Sequence, residues 1–404
     1  MRVTFLTHYY PPEVGAPQAR IGALAAGLAA AGDEVTVHTG YPNYPDGRIQ
    51  PPYRNRPRSE ELLDGVRVIR SAVYASPNAG FGGRLANHLS FSASALAIAP
   101  TSGPADVVVV ESPPLFLAGA GIAYAKLKRA GLVVNVADLW PNSAIELGAI
   151  RSPTAIRAAR AVERAAYRAS AAIACPTEGI ASVLAGRPES AGKEVLLRPA
   201  VDLDRFDPAP PSLADEGPLR VLYAGTVGMA HGLGTLLDAA QRLDDGERST
   251  AVEVTIAGDG AEAPALRERL AGSGPANVRM VGARPREEVP ALYADADVAV
   301  VLLRDRPIFE DALPTKMLEA MAAGRPLVLS AAGEAARLLE AEGAGIVVPP
   351  ESPSELAGAL ERLGADPALR HRLGAAGRAA VERDFGRGPW LERWRAVLER
   401  AARA

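Results

Sequence analysis

The chain has 404 residues, of which 48% are hydrophobic and 23% charged, and its formal net charge is −3. This composition is globular, and the small net charge argues against a protein that binds nucleic acid through a basic excess. A chain of this length accommodates about two to three domains, each large enough to bury its own core.

The first residues, "MRVTFLTHYYPPE", lack the apolar core and the small-residue cleavage site of a signal peptide. No stretch reaches the ~20 apolar residues that a membrane span requires. The single cysteine, Cys175, lies in the apolar run "AAIACPT", so it excludes an internal disulfide framework and fits a reducing compartment. We expect a soluble, cytoplasmic chain with a buried, inert thiol.

Short β-branched runs alternate with Ala-, Leu- and Arg-rich helical stretches along the chain. Continuous apolar strands between helices indicate parallel sheets covered on both faces, so we predict an α/β protein with two doubly wound domains. Ligands in such folds bind beyond the carboxyl ends of the strands. The strand candidates are 2–8, 34–40, 65–71, 106–112, 131–138, 171–177 and 194–200 in the first half, and 219–226, 252–260, 277–283, 297–303, 325–331 and 344–350 in the second.

A proline-rich polar segment, residues 205–218, is typical of an interdomain linker. It separates a predicted N-terminal domain, 1–204, from a predicted C-terminal domain, 219–387. The last segment, 388–404, has a Gly/Pro break followed by an amphipathic helix. We expect this helix to pack back on the N-terminal domain through four apolar residues, which are Trp390, Trp394, Val397 and Leu398.

The turn after the first strand contains Pro11, Pro12 and Gly15. The prolines end the strand and Gly15 permits a tight turn, and a helix follows whose core face is Ile21, Leu24 and Leu28. A Gly-bearing turn before a helix is a potential anion site. The polar, aromatic and proline-rich loop 41–61 after the second strand is of the size and position that usually carries function.

The second domain repeats this pattern. Gly225, Gly228 and Gly232 surround a strand-to-helix turn with His231 beside them, and "IAGDG", residues 256–260, is a second such turn. The spacing matches neither a Walker A motif nor the G-x-G-x-x-G of a dinucleotide fold. The glycines still let the backbone approach a bulky anion.

Lys316 is one of only four lysines in the chain. Thr315 is predicted as the N-cap of a short helix that Gly324 and Pro326 end. A cation at a helix start opposes the helix dipole. The lysine is therefore either a solvated surface residue or part of an anion site, and the local pattern favours the first.

No metal site or nucleophile is evident. The five histidines have no metal-ligand spacing, and the two Asp-x-Asp strings, 202–204 and 295–297, favour turn and capping roles. No Ser/His/Asp arrangement stands out. A site made of glycine turns, helix starts and isolated charges suits a diphosphate without a metal.

Five ordered segments carry a family resemblance, and they are "YYPPEVGAPQAR…LAAAGDEVTVHTGYPNYPDGRI", "VVNVADLWPNSA", "LYAGTVGMAHGLGTLLDAA", "NVRMVG…EEVPALYADADVAVVLL" and "ALPTKMLEAMAAGRPLVLS". Together they resemble glycosyltransferase family 4, and within it the colanic-acid and L-fucosamine-transferase-like subgroup of bacterial surface-polysaccharide synthesis. The resemblance is collinear over nearly the whole chain. It implies a GT-B fold, with two Rossmann-like domains facing across a cleft, and transfer of a sugar from a nucleotide diphosphate with retention and no essential metal.

The resemblance also implies the donor site. The family's Glu-x7-Glu pair falls on Asp311 and Glu319, of which Glu319 would hold the ribose hydroxyls and Asp311 would face the donor sugar. Lys316 would stand where the leaving diphosphate lies, while Thr226 and His231 occupy the places where many members carry Arg and Lys. The donor-binding residues implied are Gly225, Thr226, Gly228, His231, Gly258, Arg284, Leu313, Pro314, Thr315, Lys316 and Glu319.

In the first domain, Asp138 follows Ala137 where many relatives have a His-Asp pair. Asp138 is either a polar contact to the transferred sugar or a turn-forming residue before "LWP". The catalytic residues implied are Lys316, Asp138 and Asp311. The acceptor-binding residues implied are Gly15, Ala16, Arg20, Asn43 and Asp46.

The family context implies a UDP-sugar donor, with an N-acetylated amino or deoxy sugar as one option, and a polyprenyl-diphosphate-linked or other glycan acceptor. No cofactor and no nucleic-acid partner are expected. The stretch 78–99 is interpreted as a buried helix or as a helix on the inner face of the plasma membrane through Arg84, Leu85, Leu89, Phe91 and Leu96. Two rival functions are a UDP-sugar 2-epimerase of the same fold and a catalytically silent nucleotide-sugar-binding subunit.

Overall fold

The computed structural model describes the chain except for residues 14, 45–46, 55, 76–80, 147, 149, 207–216 and 245–250. It contains two compact units. Unit 1 comprises Met1–Arg198 and Trp390–Ala404, and unit 2 comprises Pro199–Pro389. Most of the linker predicted at 205–218 lies outside the described residues.

Residues 199–204, which the sequence assigns to the first domain, belong to unit 2. The reason is a backbone connection, since the Val201 N–H donates to the Phe385 carbonyl at 2.9 Å. Asp202 adds an ion pair with Arg387 at 3.0 Å. These contacts join residues 199–204 to the last residues of unit 2. The sequence of 199–204 contains no pattern that predicts them.

Unit 1 is built on an eight-stranded sheet. Its strands are β1 (Arg2–Leu6), β2 (Glu34–Gly40), β3 (Arg58–Leu63), β4 (Val66–Ser71), β5 (Val107–Ser112), β6 (Gly131–Val136), β7 (Ala172–Cys175) and β8 (Glu194–Leu196). They lie in the order β3-β4-β2-β1-β5-β6-β7-β8, and every pair is parallel except β3 with β4. The described helices are α1 (Ala16–Ala30), α2 (Phe81–Ile98), α3 (Leu115–Lys128), α4 (Asn142–Glu146), α5 (Pro153–Ala169) and α6 (Glu178–Ala185).

The seven predicted strands of unit 1 are confirmed, and β3 is an addition. It overlaps the last four residues of the predicted functional loop 41–61 and continues two residues past it. It pairs antiparallel with β4 at the sheet edge. Its first four side chains are polar, none of the six is buried, and Arg67 of β4 pairs with Glu60 at 2.9 Å. A polar edge strand lacks the apolar alternation from which strands are predicted.

Unit 2 has a six-stranded, wholly parallel sheet, as predicted. Its strands are β9 (Leu219–Ala224), β10 (Val252–Ala257), β11 (Val278–Gly282), β12 (Val298–Leu302), β13 (Leu327–Ser330) and β14 (Gly345–Val348), in the order β11-β10-β9-β12-β13-β14. The strand order reverses between β9 and β12, which is where ligands bind in doubly wound sheets. The helices are α7 (Gly234–Asp244), α8 (Ala263–Gly272), α9 (Val289–Ala294), α10 (Pro307–Glu310), α11 (Thr315–Ala322), α12 (Glu334–Glu342), α13 (Pro353–Ala365) and α14 (Pro367–Asp384).

The last helix, α15 (Arg387–Ala402), contributes residues from Trp390 onward to unit 1. The expected Gly/Pro break before it is wrong, because Gly388 and Pro389 lie in its first turn. Proline is tolerated there, since the N–H groups of the first turn make no hydrogen bonds within the helix. Leu391 packs on Gly27 of α1, and Arg395 pairs with Asp33 at 3.3 Å. The four apolar residues predicted to pack, Trp390, Trp394, Val397 and Leu398, are all buried.

Helix α2 is amphipathic and packs on the sheet of unit 1. Phe91, predicted among its membrane-facing residues, is fully buried against His8 and His38, whereas Leu89 is exposed. The packed-helix interpretation therefore holds for Phe91. Among the described residues, no helix is both long enough and apolar enough to cross a bilayer.

Both Asp-x-Asp strings contain an aspartate with a structural partner. Asp297 accepts hydrogen bonds from the backbone N–H of Arg220 at 2.9 Å and from its guanidinium at 2.8 and 3.0 Å. Burial alone would raise the pKa of Asp297, but these bonds to Arg220 outweigh it and keep the pKa below its usual value. Asp202 pairs with Arg387, as described above. Within the described ranges, no three His, Cys, Asp or Glu side chains group together as metal ligands would.

Candidate active site

The centre of the candidate site in unit 2 is a contact between α11 and the end of β9. Lys316 Nζ donates a hydrogen bond to the hydroxyl of Tyr223 at 2.7 Å and lies 4.5 Å from the centre of that ring. The Tyr223 hydroxyl itself donates to the Thr226 carbonyl at 2.6 Å, and Tyr223 is completely buried. A helix start and a strand end are thus joined by two hydrogen bonds in series.

Glycines bring three backbone segments close together beside this lysine. Gly225 has φ 141°, and a Cβ there would lie 3.1 Å from Lys316 Nζ. A Cβ on Gly258 would lie 1.8 Å from the Gly225 carbonyl oxygen, and one on Gly260 would lie 2.5 Å from that of Val227. Larger residues would push these strand ends apart. The predicted donor glycines Gly225 and Gly258 are therefore in contact with each other, and Gly225 also lies against the lysine.

Lys316 is partly buried, and burial lowers the pKa of its ammonium group to about 7, an effect that Glu319 opposes. An ammonium group has three N–H donors. Among the described residues only the Tyr223 hydroxyl accepts one of them. Two donors of a poorly solvated cation are thus available to an anion, which would raise the pKa of the lysine by stabilising its charged form.

His231 packs edge-to-face against Tyr223, with the two ring centres 6.1 Å apart. Burial, and secondarily the charge of Lys316, lowers the pKa of His231 to about 4. The imidazole is therefore neutral at physiological pH. It does not replace the cation that many family members carry in this turn.

Glu319 lies one turn after Lys316 on α11. Burial raises the pKa of its carboxyl group, and the positive charges of Arg286, Arg205 and Lys316 oppose this rise. In the part of the chain that the structure describes, no side chain donates a hydrogen bond to the Glu319 carboxylate. It is free to accept hydroxyl groups from a ligand.

The start of α11 differs from the prediction. Its N-cap is Pro314 in extended conformation with no side-chain capping bond, and Thr315 is the first helical residue with an exposed side chain. Pro314 has φ −65° and ψ 126°, and its side chain carries no acceptor for the N–H groups of the first helical turn. The Met317 N–H bonds the Pro314 carbonyl at 3.0 Å. The predicted cap Thr315 is therefore wrong, because the helix begins at Thr315, one residue earlier than expected.

Two other predicted donor residues stand apart from the lysine. Arg284 pairs with Glu288 at 3.8 Å, and it is Arg286, two residues later, whose charge acts on Glu319. Asp311 follows α10 and is partly exposed. Among the described residues, no hydrogen bond or ion pair joins Asp311 to Lys316.

Three of the acceptor residues predicted in unit 1, Gly15, Ala16 and Arg20, lie at the start of α1 or within it. Gly15 is the N-cap of α1, and its φ of 167° is extended, a conformation that does not require glycine. A Cβ there would lie 2.5 Å from Gln18 Oε1, the end of a flexible side chain. Ala16 begins α1, and Asp46 lies outside the described residues.

Arg20 and Asn43 belong to two polar networks in unit 1. Arg20 pairs with the buried Glu111, which also accepts from Asn135 Nδ2 at 2.5 Å, and burial raises the pKa of Glu111. The Asn43 N–H donates to buried Glu13 at 2.8 Å. Both predicted residues have structural partners already.

Asp138 accepts a hydrogen bond from the Ser143 hydroxyl at 2.7 Å, and its carbonyl accepts the Trp140 N–H at 2.9 Å. This is the geometry of a turn-forming aspartate. One carboxylate oxygen is bonded to Ser143, so the other remains for a ligand.

Sequence reasoning missed Tyr223 and Arg304. Tyr223 lies in the apolar β9 pattern, where a tyrosine is expected to be a core residue. Arg304 follows β12 and bonds the Met229 carbonyl through Nε at 2.6 Å. A lone arginine after a strand carries no local signal of such a contact.

Two family models match the chain. "Glycosyl transferase 4-like domain" matches residues 15–200, and "Glycosyl transferases group 1" matches residues 218–366. The first match covers most of unit 1 and ends just inside unit 2, the second lies within unit 2, and together they cover most of the sequence. The chain belongs to glycosyltransferase family 4.

Two relatives of this family 4 enzyme align with it over nearly their whole length. They are the glycogen synthase of Mycobacterium tuberculosis strain H37Rv, 26% identical over 95% of this chain and 91% of the relative, and the putative colanic acid biosynthesis glycosyl transferase WcaI of Escherichia coli K12, 24% identical over 87% and 89%. A third, the alpha-D-kanosaminyltransferase of Streptomyces kanamyceticus, is 32% identical, but the match spans 39% of each chain. The colanic-acid subgroup stays a prediction, because glycogen synthase is as similar as WcaI.

Solved structures agree on the fold. Sucrose-phosphate synthase from Thermosynechococcus elongatus has a TM-score of 0.71 at 20% identity, covering 100% of this chain and 97% of that chain. Anabaena HepE in complex with UDP-glucose also has a TM-score of 0.71, at 17% identity and 99% coverage of both chains. At such identities the likeness establishes the fold, and this glycosyltransferase has the predicted GT-B fold.

Proposed function

We propose that this family 4 glycosyltransferase moves a sugar from a UDP-sugar to a glycan or polyprenyl-diphosphate-linked acceptor, with retention and without an essential metal. The sugar class favoured is a hexose or an N-acetylated amino sugar. The setting favoured is bacterial surface-polysaccharide synthesis, as the relatives WcaI and the amylovoran enzyme AmsK of Erwinia amylovora suggest.

One observation carries the proposal. The Lys316 ammonium group points at the glycine-lined ends of β9 and β10 with two N–H donors unused among the described residues. A partly buried cation beside closely approaching backbone is suited to a diphosphate, because the low local dielectric strengthens their attraction. Many members of the family carry a positive charge on the turn after β9. In this chain Lys316, on α11, would supply the positive charge instead.

The nucleoside end is assigned to Glu319. Its carboxylate lies one helical turn from Lys316, and free carboxylate oxygens accept hydrogen bonds from paired ribose hydroxyls. Anabaena HepE, with the same fold, was crystallised with UDP and with UDP-glucose. Uridine is therefore the base to test first.

In the proposed reaction the bond between the sugar C1 and the diphosphate oxygen breaks, and the acceptor oxygen bonds C1 on the same face. The acceptor proton passes to the departing diphosphate. Lys316 stabilises the negative charge that develops there, a role in which one lost donor typically costs about 3–4 kcal/mol of barrier. Asp138 is assigned a polar contact in unit 1, and Asp311 a contact to the donor sugar.

Membrane contact through α2 is left out of the proposal, because Phe91 is buried in the packed face of the helix. The polyprenyl-linked acceptor is proposed on the family relationship alone. A free oligosaccharide acceptor is the alternative within the same reaction.

The test is a screen of UDP-, GDP- and ADP-sugars by thermal shift, followed by assay of nucleoside diphosphate release with and without acceptor. A ligand at 100 times Kd stabilises by about 2.7 kcal/mol, which the shift detects. Lys316→Ala should lower kcat more than about 100-fold, in line with the loss of one such donor. Lys126→Ala, at an exposed lysine of unit 1, is the control and should be silent.

Three outcomes would contradict the proposal. Conversion of a UDP-sugar to its epimer without acceptor, followed by NMR, would indicate the epimerase. Binding without diphosphate release under any acceptor would indicate a silent subunit. Near-normal turnover of Lys316→Ala would remove the lysine from the mechanism.

A further inference from the structure

Arg304, the second residue after β12, holds the loop that follows β9. Its backbone N–H donates to the Ala230 carbonyl at 2.9 Å, and its side-chain Nε donates to the Met229 carbonyl at 2.6 Å. Gly232, at the end of the loop, has φ 57° and would bring a Cβ within 3.2 Å of Arg304 Cγ. The arginine therefore fixes two consecutive peptide groups of the loop.

The guanidinium group is itself held by two carboxylates. Nη2 lies 2.8 Å from Glu262 Oε1, and Nη1 lies 3.2 Å from Glu351 Oε1. The second oxygen of Glu351 accepts the Asp305 N–H at 3.2 Å. Glu262 holds the pKa of Arg304 above its usual value. All three side-chain nitrogens are thus engaged within unit 2, and the charge of the arginine is balanced before any ligand arrives.

Glu351 adopts a left-handed backbone with φ 56°, one of few non-glycine residues among those described to do so. Such a conformation costs free energy for a residue with a Cβ. In this conformation the Glu351 carboxylate reaches both the Arg304 guanidinium and the N–H of Asp305. These hydrogen bonds offset the cost of the backbone conformation.

The bonds to Arg304 determine where the loop amides point. In a trans peptide group the C=O and N–H point in opposite directions. Because the Met229 carbonyl faces Arg304, the N–H of Ala230 faces away from it. In the described part of the chain no acceptor bonds the N–H groups of Gly228, Met229 and Ala230, whereas the His231 N–H closes a turn on Gly228.

From this geometry we infer that Arg304 is a positioning residue for the donor diphosphate. It holds the loop 228–232 in the form whose unpaired N–H groups are presented to an anion, without contacting that anion itself. The inference rests on the proposed function, since the loop belongs to the same candidate site as Lys316.

The test compares UDP with uridine, which lacks the diphosphate, by calorimetric titration of the wild-type protein, Arg304→Gln and Arg304→Lys. Both variants should bind UDP about tenfold more weakly, the equivalent of one or two lost hydrogen bonds, and bind uridine as the wild type does. Arg304→Lys keeps the charge but loses the planar fork that reaches Met229, Glu262 and Glu351. Arg383→Gln, which breaks an exposed arginine's pairs with Glu342 and Asp384, is the matched control and should change neither affinity.

The outcomes separate the alternatives. If Arg304→Lys keeps wild-type UDP affinity, charge alone suffices and the positioning role is overturned. If UDP and uridine weaken together, or if only the melting temperature falls, Arg304 is merely structural. If the Arg304 variants do not fold, Glu351→Gln weakens one of the two carboxylate contacts of Arg304 and should lower UDP affinity selectively. Unchanged UDP affinity in Glu351→Gln overturns the inference.

A wild-type protein that binds no UDP overturns the proposed uridine donor as well. UDP binding that the Arg304 substitutions leave unchanged overturns this inference alone.

Discussion

Lys316 and Tyr223 are 93 residues apart in sequence, and in the fold the ammonium group of one donates to the hydroxyl of the other at 2.7 Å. The same hydroxyl donates onward to the Thr226 carbonyl. The tyrosine thus sets both the direction of the lysine and the course of the turn after β9. A residue that resembles a core tyrosine connects the two parts of the candidate donor site.

Replacing Tyr223 by phenylalanine removes this connection and little volume. We expect kcat/KM to fall about tenfold, because the lysine loses its fixed partner and a buried carbonyl loses its donor at a cost of ~1–3 kcal/mol. Steady-state kinetics with the preferred donor measure this. Tyr41→Phe is the matched control, since Tyr41 is buried and its hydroxyl has no partner among the described residues. Equal effects of the two substitutions would refute the role of Tyr223.

Nucleoside diphosphate binding should take up a proton above pH 7. Burial lowers the pKa of free Lys316 to about 7, so most of the amine is neutral at pH 8, and a bound diphosphate restores its charge. UDP affinity should therefore fall as pH rises from about 7 to 9, above the phosphate pKa of ~6. Titration calorimetry in two buffers of different ionisation enthalpy gives the proton uptake directly.

The neighbours of Lys316 do not change charge in this window. The pKa of His231 is lowered to about 4 by burial, and burial raises the pKa of Tyr223 above its usual value. Glu319 carries a raised pKa as well, so its contribution is checked with Glu319→Gln. Lys316→Met should abolish the uptake, and uptake that persists in this variant would assign the proton to another group.

Lys316→Met should make the protein more stable while it abolishes turnover. The folded-state pKa of about 7 lies below the usual 10.5, so the unfolded chain binds the extra proton between these values and stability rises with pH there. By this linkage the lysine costs roughly 4 kcal/mol at pH 7 and about 2 kcal/mol at pH 9. Thermal unfolding at both pH values should show a gain that shrinks with pH. A variant less stable than the wild type at pH 7 would contradict this account.

Arg20→Met should destabilise unit 1. It leaves the buried Glu111 carboxylate without its cation, and breaking a buried ion pair typically costs about 3–5 kcal/mol. Burial already raises the pKa of Glu111, so the folded variant keeps a proton that the unfolded chain loses, and the loss of stability grows as pH rises above 5. The double variant Arg20→Met/Glu111→Gln should recover most of the stability. If it does not, Arg20 stabilises unit 1 through other contacts.

Most of the fold follows from hydropathy. Runs such as Val107–Val110 can only be buried strands, and Ile21, Leu24 and Leu28 form the predicted core face of α1. Strand β3 escaped prediction because its partners are charges rather than a core. The start of α11 was mispredicted because the helix begins after Pro314, which has no side-chain acceptor, instead of after the capping residue type Thr315.

The candidate site was harder to predict, and the reason is distance along the chain. Lys316 and the glycines were recognised from local pattern and family resemblance, and their proximity to each other is a property of the sheet order β9-β12. Tyr223 and Arg304 act through contacts with residues 75 to 93 positions away, for which a single sequence contains no signal.

Unit 1 is made of the first and the last stretches of this sequence, with the whole of unit 2 translated between them. A nascent chain that has already completed the six-stranded sheet therefore still lacks the two tryptophans of α15 that unit 1 buries. Until those residues leave the ribosome, the surface of unit 1 that α15 covers, which includes Gly27 of α1, stays open to water and to chaperones. Messages cut short before codon 390 should yield a folded unit 2 attached to a unit 1 that proteases recognise.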